Sequence, residues 1–138
     1  MMAKLLKINH IGIAVNSIEE ALPFWVDGLG LKLQHMEEVT RQKSMVAFLP
    51  VGESDVELVA PTAEDSNMSK YLADRGPGIH HLCLETDDIE TMLADLKAKG
   101  FRLINETPLE EPGRKMAFVH PKSTGGVLLE LYEITGKK

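Results

Sequence analysis

The chain has 138 residues, 43% of them apolar and 26% charged, a make-up that belongs to one folded domain and excludes a disordered chain. A formal net charge of −6 argues against nucleic acid as a partner, because phosphate backbones are held by basic surfaces. No apolar run nears the ~20 residues that cross a bilayer, residues 1–7 lack a signal-peptide core, and the one cysteine, Cys83, leaves no internal disulfide, so a cytoplasmic protein without a membrane partner is expected.

Residues 5–15 read as a strand. Asn16 with Glu19, or Ser17 with Glu20 one residue on, makes a helix-capping pattern, and Ile18, Ala21, Leu22 and Trp25 share one face of the helix that follows. Pro23 lacks an N–H, so a kink is expected there, with the helix ending near Gly28 or Gly30. Strand-like runs occupy residues 32–39, 45–50 and 55–60, and Pro50-Val51-Gly52 joins the last two as a hairpin. A connection over residues 61–78 carries a short helix at 68–75, stopped by Gly76-Pro77-Gly78. The order then repeats. Residues 79–86 form a strand, Asp87 with Glu90 caps a helix over 89–99, Gly100 ends it, and strands follow at 102–105, 115–120 and 127–134. Residues 108–113, rich in Glu and Pro, read as a loop.

The repetition extends to single residues. Ile8-Asn9-His10-Ile11-Gly12-Ile13-Ala14-Val15 returns as Ile79-His80-His81-Leu82-Cys83-Leu84-Glu85-Thr86, with His81 lying 71 positions after His10. The expected architecture is therefore α+β: one domain over residues 1–138 made of two tandem βαβββ modules, about 5–62 and 77–135, whose curved mixed sheet surrounds a central metal-binding cleft. Period-two alternation puts His10, Gly12 and Ala14 on one strand face, and His81 with Cys83 on the matching face.

Each module also carries a glutamate inside its last apolar strand. Glu57 follows His10 by 47 positions, and Glu130 follows His81 by 49. A carboxylate in such a strand costs free energy unless something pairs with it, and one divalent cation would satisfy both. Two imidazoles and two carboxylates suit Co²⁺, Ni²⁺, Mn²⁺ or Zn²⁺ and leave positions for substrate, while the absence of thiolate ligands argues against a closed structural zinc site. His35 and His80 have no counterparts of this kind, and His120 reads as a surface or structural residue.

These paired modules resemble the vicinal oxygen chelate superfamily of glyoxalases, bleomycin-resistance proteins and dioxygenases, and within it the methylmalonyl-CoA epimerases. The resemblance covers nearly the whole chain. It rests on Asn9-His10-Ile11-Gly12-Ile13-Ala14-Val15, on Gly76-Pro77-Gly78-Ile79-His80-His81-Leu82, on Asp65-Ser66 with Lys70-Tyr71-Leu72, and on His120-Pro121-Lys122-Ser123-Thr124-Gly125-Gly126-Val127-Leu128-Leu129-Glu130-Leu131. It implies one divalent ion per chain, cobalt first, on His10, Glu57, His81 and Glu130, and an acyl-CoA substrate closed over by Lys122, Ser123, Thr124 and Gly125. It also implies a homodimer.

The implied reaction is epimerisation of methylmalonyl-CoA through a metal-stabilised enolate at C2, with Glu130 handling one proton. By position the family's second catalytic carboxylate falls on Arg41, which cannot act as a base at neutral pH, and Glu38 stands three residues earlier. The alternatives within the superfamily are a glyoxalase I-like lyase or isomerase on another substrate and a non-catalytic binder of small molecules.

Overall fold

A computed structural model describes residues 2–136. The strands are β1 (Leu5–Ala14), β2 (His35–Val39), β3 (Ser44–Val51), β4 (Ser54–Pro61), β5 (Gly78–Thr86), β6 (Leu109–Glu111), β7 (Arg114–Val119) and β8 (Leu128–Ile134), and the helices are α1 (Ile18–Leu22), α2 (Asn67–Arg75) and α3 (Ile89–Ala98). Strands are mixed parallel and antiparallel and are interspersed with helices, an α+β fold. None of the helices among the described residues is long and apolar enough to cross a membrane. By packing the chain divides into two compact units, His10–His80 and a second formed by the residues up to Asn9 with those from His81 onward.

In the His10–His80 unit the strand order is β2-β3-β4-β1, with β3 antiparallel to both neighbours and β1 parallel to β4. The Ser17 hydroxyl caps α1 by accepting the Glu20 N–H at 3.3 Å, so the later of the two capping patterns is the one used. Pro23 does break the helix, in a specific way. From Pro23 to Gly28 the coil widens to a π-helical turn in which Leu29 N–H reaches back to the Phe24 carbonyl at 2.9 Å. Ile18, Ala21, Leu22 and Trp25 pack on Ala47, Leu49 and Leu58, which point to one face of the sheet. Ala14, Val46 and Val59 point to the other face, where Met68, Tyr71 and Leu72 of α2 meet them. β2 is shorter than expected and begins at His35.

In the second unit the order is β1-β5-β8-β7-β6, with β5 parallel to β8 and β7 antiparallel to β8 and β6. Ile89 and Leu93 of α3 bury against Ala117, Val119 and Leu131. The cap of α3 is Asp88, which accepts the Thr91 N–H at 3.1 Å; Asp87 instead accepts the Lys4 N–H at 2.8 Å. Residues 102–105 form no strand, only an isolated bridge from Leu103 to Val119. The edge strand comes from the Glu- and Pro-rich stretch, where Leu109–Glu111 pairs with the start of β7. Pro108 and Pro112 flank it, a position that an edge strand tolerates because the missing donors cost it no ladder bond.

Candidate functional site

The two parallel ladders have the same register. In one, Gly12 lies across from Glu57, and in the other Cys83 lies across from Glu130, so each glutamate stands opposite the residue two beyond a histidine. Successive side chains on one strand face are two residues apart, so each carboxylate neighbours the imidazole on its own face. His10 Nδ1 is 3.2 Å from Glu57 Oε2, and His81 Nε2 is 3.6 Å from Glu130 Oε1. His10 is 1% exposed and Glu130 is 4% exposed, which no isolated charge would tolerate. Phenylalanines complete the match: Phe48 lies across from Glu57 on β3, and Phe118 across from Glu130 on β7.

The spacing of each pair suits coordination. Two donors at about 2.1 Å from one cation, at angles between octahedral and tetrahedral, lie roughly 3.0–3.4 Å apart. The 3.2 Å pair falls in that range and the 3.6 Å pair just beyond it. At 3.6 Å an imidazole and a carboxylate are too far apart for a hydrogen bond, so a proton shared between them does not explain the second pair. Among the described residues Asp88, Glu90 and Glu133 also cluster, but all three are engaged structurally: Asp88 caps α3, Glu133 accepts the Ile89 N–H at 2.9 Å, and Glu90 pairs with Lys115 at 2.9 Å.

The loop expected to close on substrate is a tight turn, Pro121–Ser123, followed by Gly125 and Gly126 with φ of 77° and 106°. Ser123 Oγ accepts the Arg102 N–H at 2.7 Å, and Thr124 Oγ1 accepts the Val127 N–H at 2.9 Å and makes a short contact with the Val127 carbonyl. Both hydroxyls therefore hold the loop in shape, while the Lys122 side chain and Gly125 are exposed or partly so. His120 begins the turn, its Nδ1 accepting the Lys122 N–H at 3.0 Å. Desolvation first, then the positive charges of Arg102 and Lys122, push its pKa below the ordinary imidazole value. A neutral ring fits its acceptor role.

The structure does not place Glu38 with the other site residues. Glu38 lies across from Met45, whose side chain packs on the α1 side of the sheet, so Glu38 points away from Glu57. Arg41 is exposed in the Thr40–Gln42 turn and belongs to no strand face. The residue on the Glu57 face is Glu37, across from Val46. Its neighbour two positions earlier, His35, stacks on Phe48 with ring centroids 4.3 Å apart and planes 10° from parallel, and its Nε2 is 3.7 Å from Glu37 Oε1. Sequence reasoning passed over this pair. The signal was a His and a Glu two apart in a strand, which must share a face. His80, edge-on to Tyr71 at 4.5 Å, has its pKa lowered by burial.

A model of the Glyoxalase/Bleomycin resistance/Dioxygenase superfamily matches residues 9–118. The uncharacterized protein YqjC of Bacillus subtilis is 38% identical over 131 residues, spanning 94% of both chains. The mitochondrial methylmalonyl-CoA epimerase of Mus musculus is 35% identical over 93% of this chain and 73% of its own length. A solved methylmalonyl-CoA epimerase in complex with methylmalonyl-CoA and NH₄⁺ has a TM-score of 0.86 at 34% identity, covering 96% of this chain and 97% of that one.

Proposed function

The chain belongs to the glyoxalase/bleomycin resistance/dioxygenase superfamily, and on that premise we propose that it is a metal-dependent methylmalonyl-CoA epimerase. The observation that supports this most is the pair of histidine–glutamate couples held in one register, in a chain whose relatives with that activity align over most of its length. His10, Glu57, His81 and Glu130 are the ligands in this reading, and the donor set suits cobalt or another first-row divalent ion. A cation held there supplies electrostatic stabilisation to the enolate formed when the C2 proton leaves.

The chain's own residues do the rest. Glu130, 4% exposed, takes the C2 proton on one side. Phe48 and Phe118 flank the two glutamates with apolar surface, which excludes water and strengthens every charge interaction beside them. Lys122, with the turn built by Ser123, Thr124 and Gly125, supplies a cation and backbone donors for the anionic coenzyme A portion. A homodimer is part of the reading, supported by the exposed apolar Leu5, Leu6 and Ile8 of β1, and a cytoplasmic setting by the single, buried Cys83.

The test is deuterium exchange at C2 of methylmalonyl-CoA with and without added Co²⁺, followed by chiral analysis of the product. Metal-stimulated exchange with loss of chirality is expected. A protein that neither exchanges C2–H nor interconverts the two hands under any of the four metals is not an epimerase, and thioester formation from methylglyoxal and glutathione would then point to the lyase alternative.

A further inference from the structure

The turn that joins β7 to β8 carries donors that its own fold leaves unused. We propose that Arg102, with Lys122 and the backbone of the 121–126 turn, forms a phosphate site that selects thioesters of coenzyme A over those of pantetheine alone. The inference deepens the epimerase reading above and rests on its acyl-CoA substrate.

Every residue involved belongs to the unit that holds His81 and Glu130. Arg102 is pinned to the turn by its backbone. Its N–H donates to Ser123 Oγ at 2.7 Å, and its carbonyl accepts the His120 N–H at 3.0 Å. Arg102 and Lys122 are themselves exposed. Desolvation first, and then the charges of Arg102 and Lys122, lower the His120 pKa, so both cations reach one ring. Cations nearby are placed differently. Lys97, Lys99, Arg114 and Lys115 each lie within 3.0 Å of a carboxylate oxygen, whereas neither Arg102 nor Lys122 forms an ion pair with a described residue. In a chain of formal charge −6, two converging cations without carboxylates make a local positive field that suits an incoming anion.

The backbone completes the site. Gly125 and Gly126 have φ of 77° and 106°, and a Cβ on either would meet nothing within 4 Å, so their peptide groups lie open to a bulky ligand. The Gly126 N–H is held by the Pro121 carbonyl at 2.9 Å, whereas the exposed Gly125 N–H donates to no described residue. A free N–H on a glycine turn, a lysine and a guanidinium fork are the groups that hold phosphate oxygens. The Ser123 and Thr124 hydroxyls are engaged within the turn, so they shape the site while the cations bind. The reach fits as well. Val127 ends the turn three residues before Glu130, about 10 Å along the strand, and in coenzyme A the pantetheine arm separates the thioester from the phosphates.

The experiment titrates acetyl-coenzyme A, S-acetyl-pantetheine and inorganic phosphate into the full chain loaded with Zn²⁺, by calorimetry, and follows the His120 ring by NMR. Acetyl-coenzyme A should bind about tenfold or more tightly than S-acetyl-pantetheine. Arg102→Met should weaken acetyl-coenzyme A by about tenfold, and Arg102→Lys should restore part of the loss. Saturation with acetyl-coenzyme A should also move the His120 midpoint upward, because phosphate charge offsets the two cations, a change that a purely structural Arg102 would not produce. Parent-like binding of acetyl-coenzyme A by Arg102→Met overturns the proposal. So does a parent that binds the two thioesters equally or binds neither, or a His120 midpoint that acetyl-coenzyme A leaves in place. Inorganic phosphate binding as tightly as acetyl-coenzyme A marks a site for free phosphate and overturns it too. Phosphate-dependent binding by a parent that neither exchanges nor interconverts methylmalonyl-CoA keeps this site and removes the epimerase reading. Turnover by a parent indifferent to Arg102 does the reverse.

Discussion

Glu57 stands across from Gly12 in the β1–β4 ladder, yet its carboxylate meets His10, two residues away, at 3.2 Å. Gly12 has no side chain to occupy the intervening face, so the glutamate can lean along the strand. The Glu57 side chain is only 12% exposed, and removing the imidazole takes this partner from it. His10→Ala should therefore cost about 3 kcal/mol of stability, the scale for breaking a buried pair from one side. Glu57→Gln, which keeps a polar group of the same shape, should cost less than half as much. Urea denaturation of the metal-free proteins gives both numbers. On the metal reading both variants also take up less Co²⁺, which elemental analysis after dialysis reports.

The register that duplicates the polar pairs also duplicates the packing behind them. Leu58 and Leu131 each follow a site glutamate, and each is buried on the helix side of its sheet, at 0% and 2% exposure. Leu58→Ala and Leu131→Ala each remove buried methyl groups from a packed cluster, and each should lower stability by about 2–5 kcal/mol. Chemical denaturation followed by circular dichroism measures the loss. A cost below about 1 kcal/mol at either site would mean that this cluster collapses on the vacancy.

Much of this arrangement is legible in the chain because it was written twice. The histidine strands, the glutamate strands and the helices between them recur at nearly constant spacing, and each reinforces the other. The matching phenylalanines were legible too, as Ala47-Phe48 and Ala117-Phe118 in corresponding strands, but their meaning depends on which residue lies across from them. That information is in the pairing and not in any one strand. The face that Glu38 takes was hidden for the same reason. Met36-Glu37-Glu38-Val39 has no clear alternation, and its faces are set by β3 through the Glu37–Val46 and Glu38–Met45 pairs. Strand β6 stayed hidden because an edge strand needs only one paired side, which lets Leu109–Glu111 lie between two prolines. Pro23 was read correctly as a break, but not its form, because the widened turn is settled by Phe24 and Trp25 carbonyls finding donors five or six residues on.

The His120 turn makes a prediction about pH. Desolvation and the charges of Arg102 and Lys122 lower the His120 pKa, so the folded state binds its proton less readily than the unfolded state does. Its contribution to stability is thus complete above the ordinary imidazole value of about 6.5 and is lost as the pH falls below it toward the folded pKa. Protonation also turns Nδ1 into a donor, which breaks its bond from Lys122 N–H and loosens the turn. The His120 ring signal followed by NMR should titrate below 6.5, and Lys122→Met or Arg102→Met should move the midpoint upward. An unmoved midpoint in both variants would leave desolvation as the sole cause.

Glu130 is the residue on which ligand and base coincide, and Glu130→Gln separates the two. The amide keeps the volume of a side chain that is 4% exposed, and its oxygen can still face a cation, so the fold and part of the metal affinity should survive. It cannot accept the C2 proton. Deuterium uptake into methylmalonyl-CoA should fall by about 10²–10⁴-fold, the range that a positioned base contributes. Cobalt content measured on the same sample gives the result its meaning. Uptake lost with cobalt retained assigns the proton to Glu130, whereas uptake and cobalt lost together make it a ligand first. Uptake near the parent rate removes Glu130 from proton transfer.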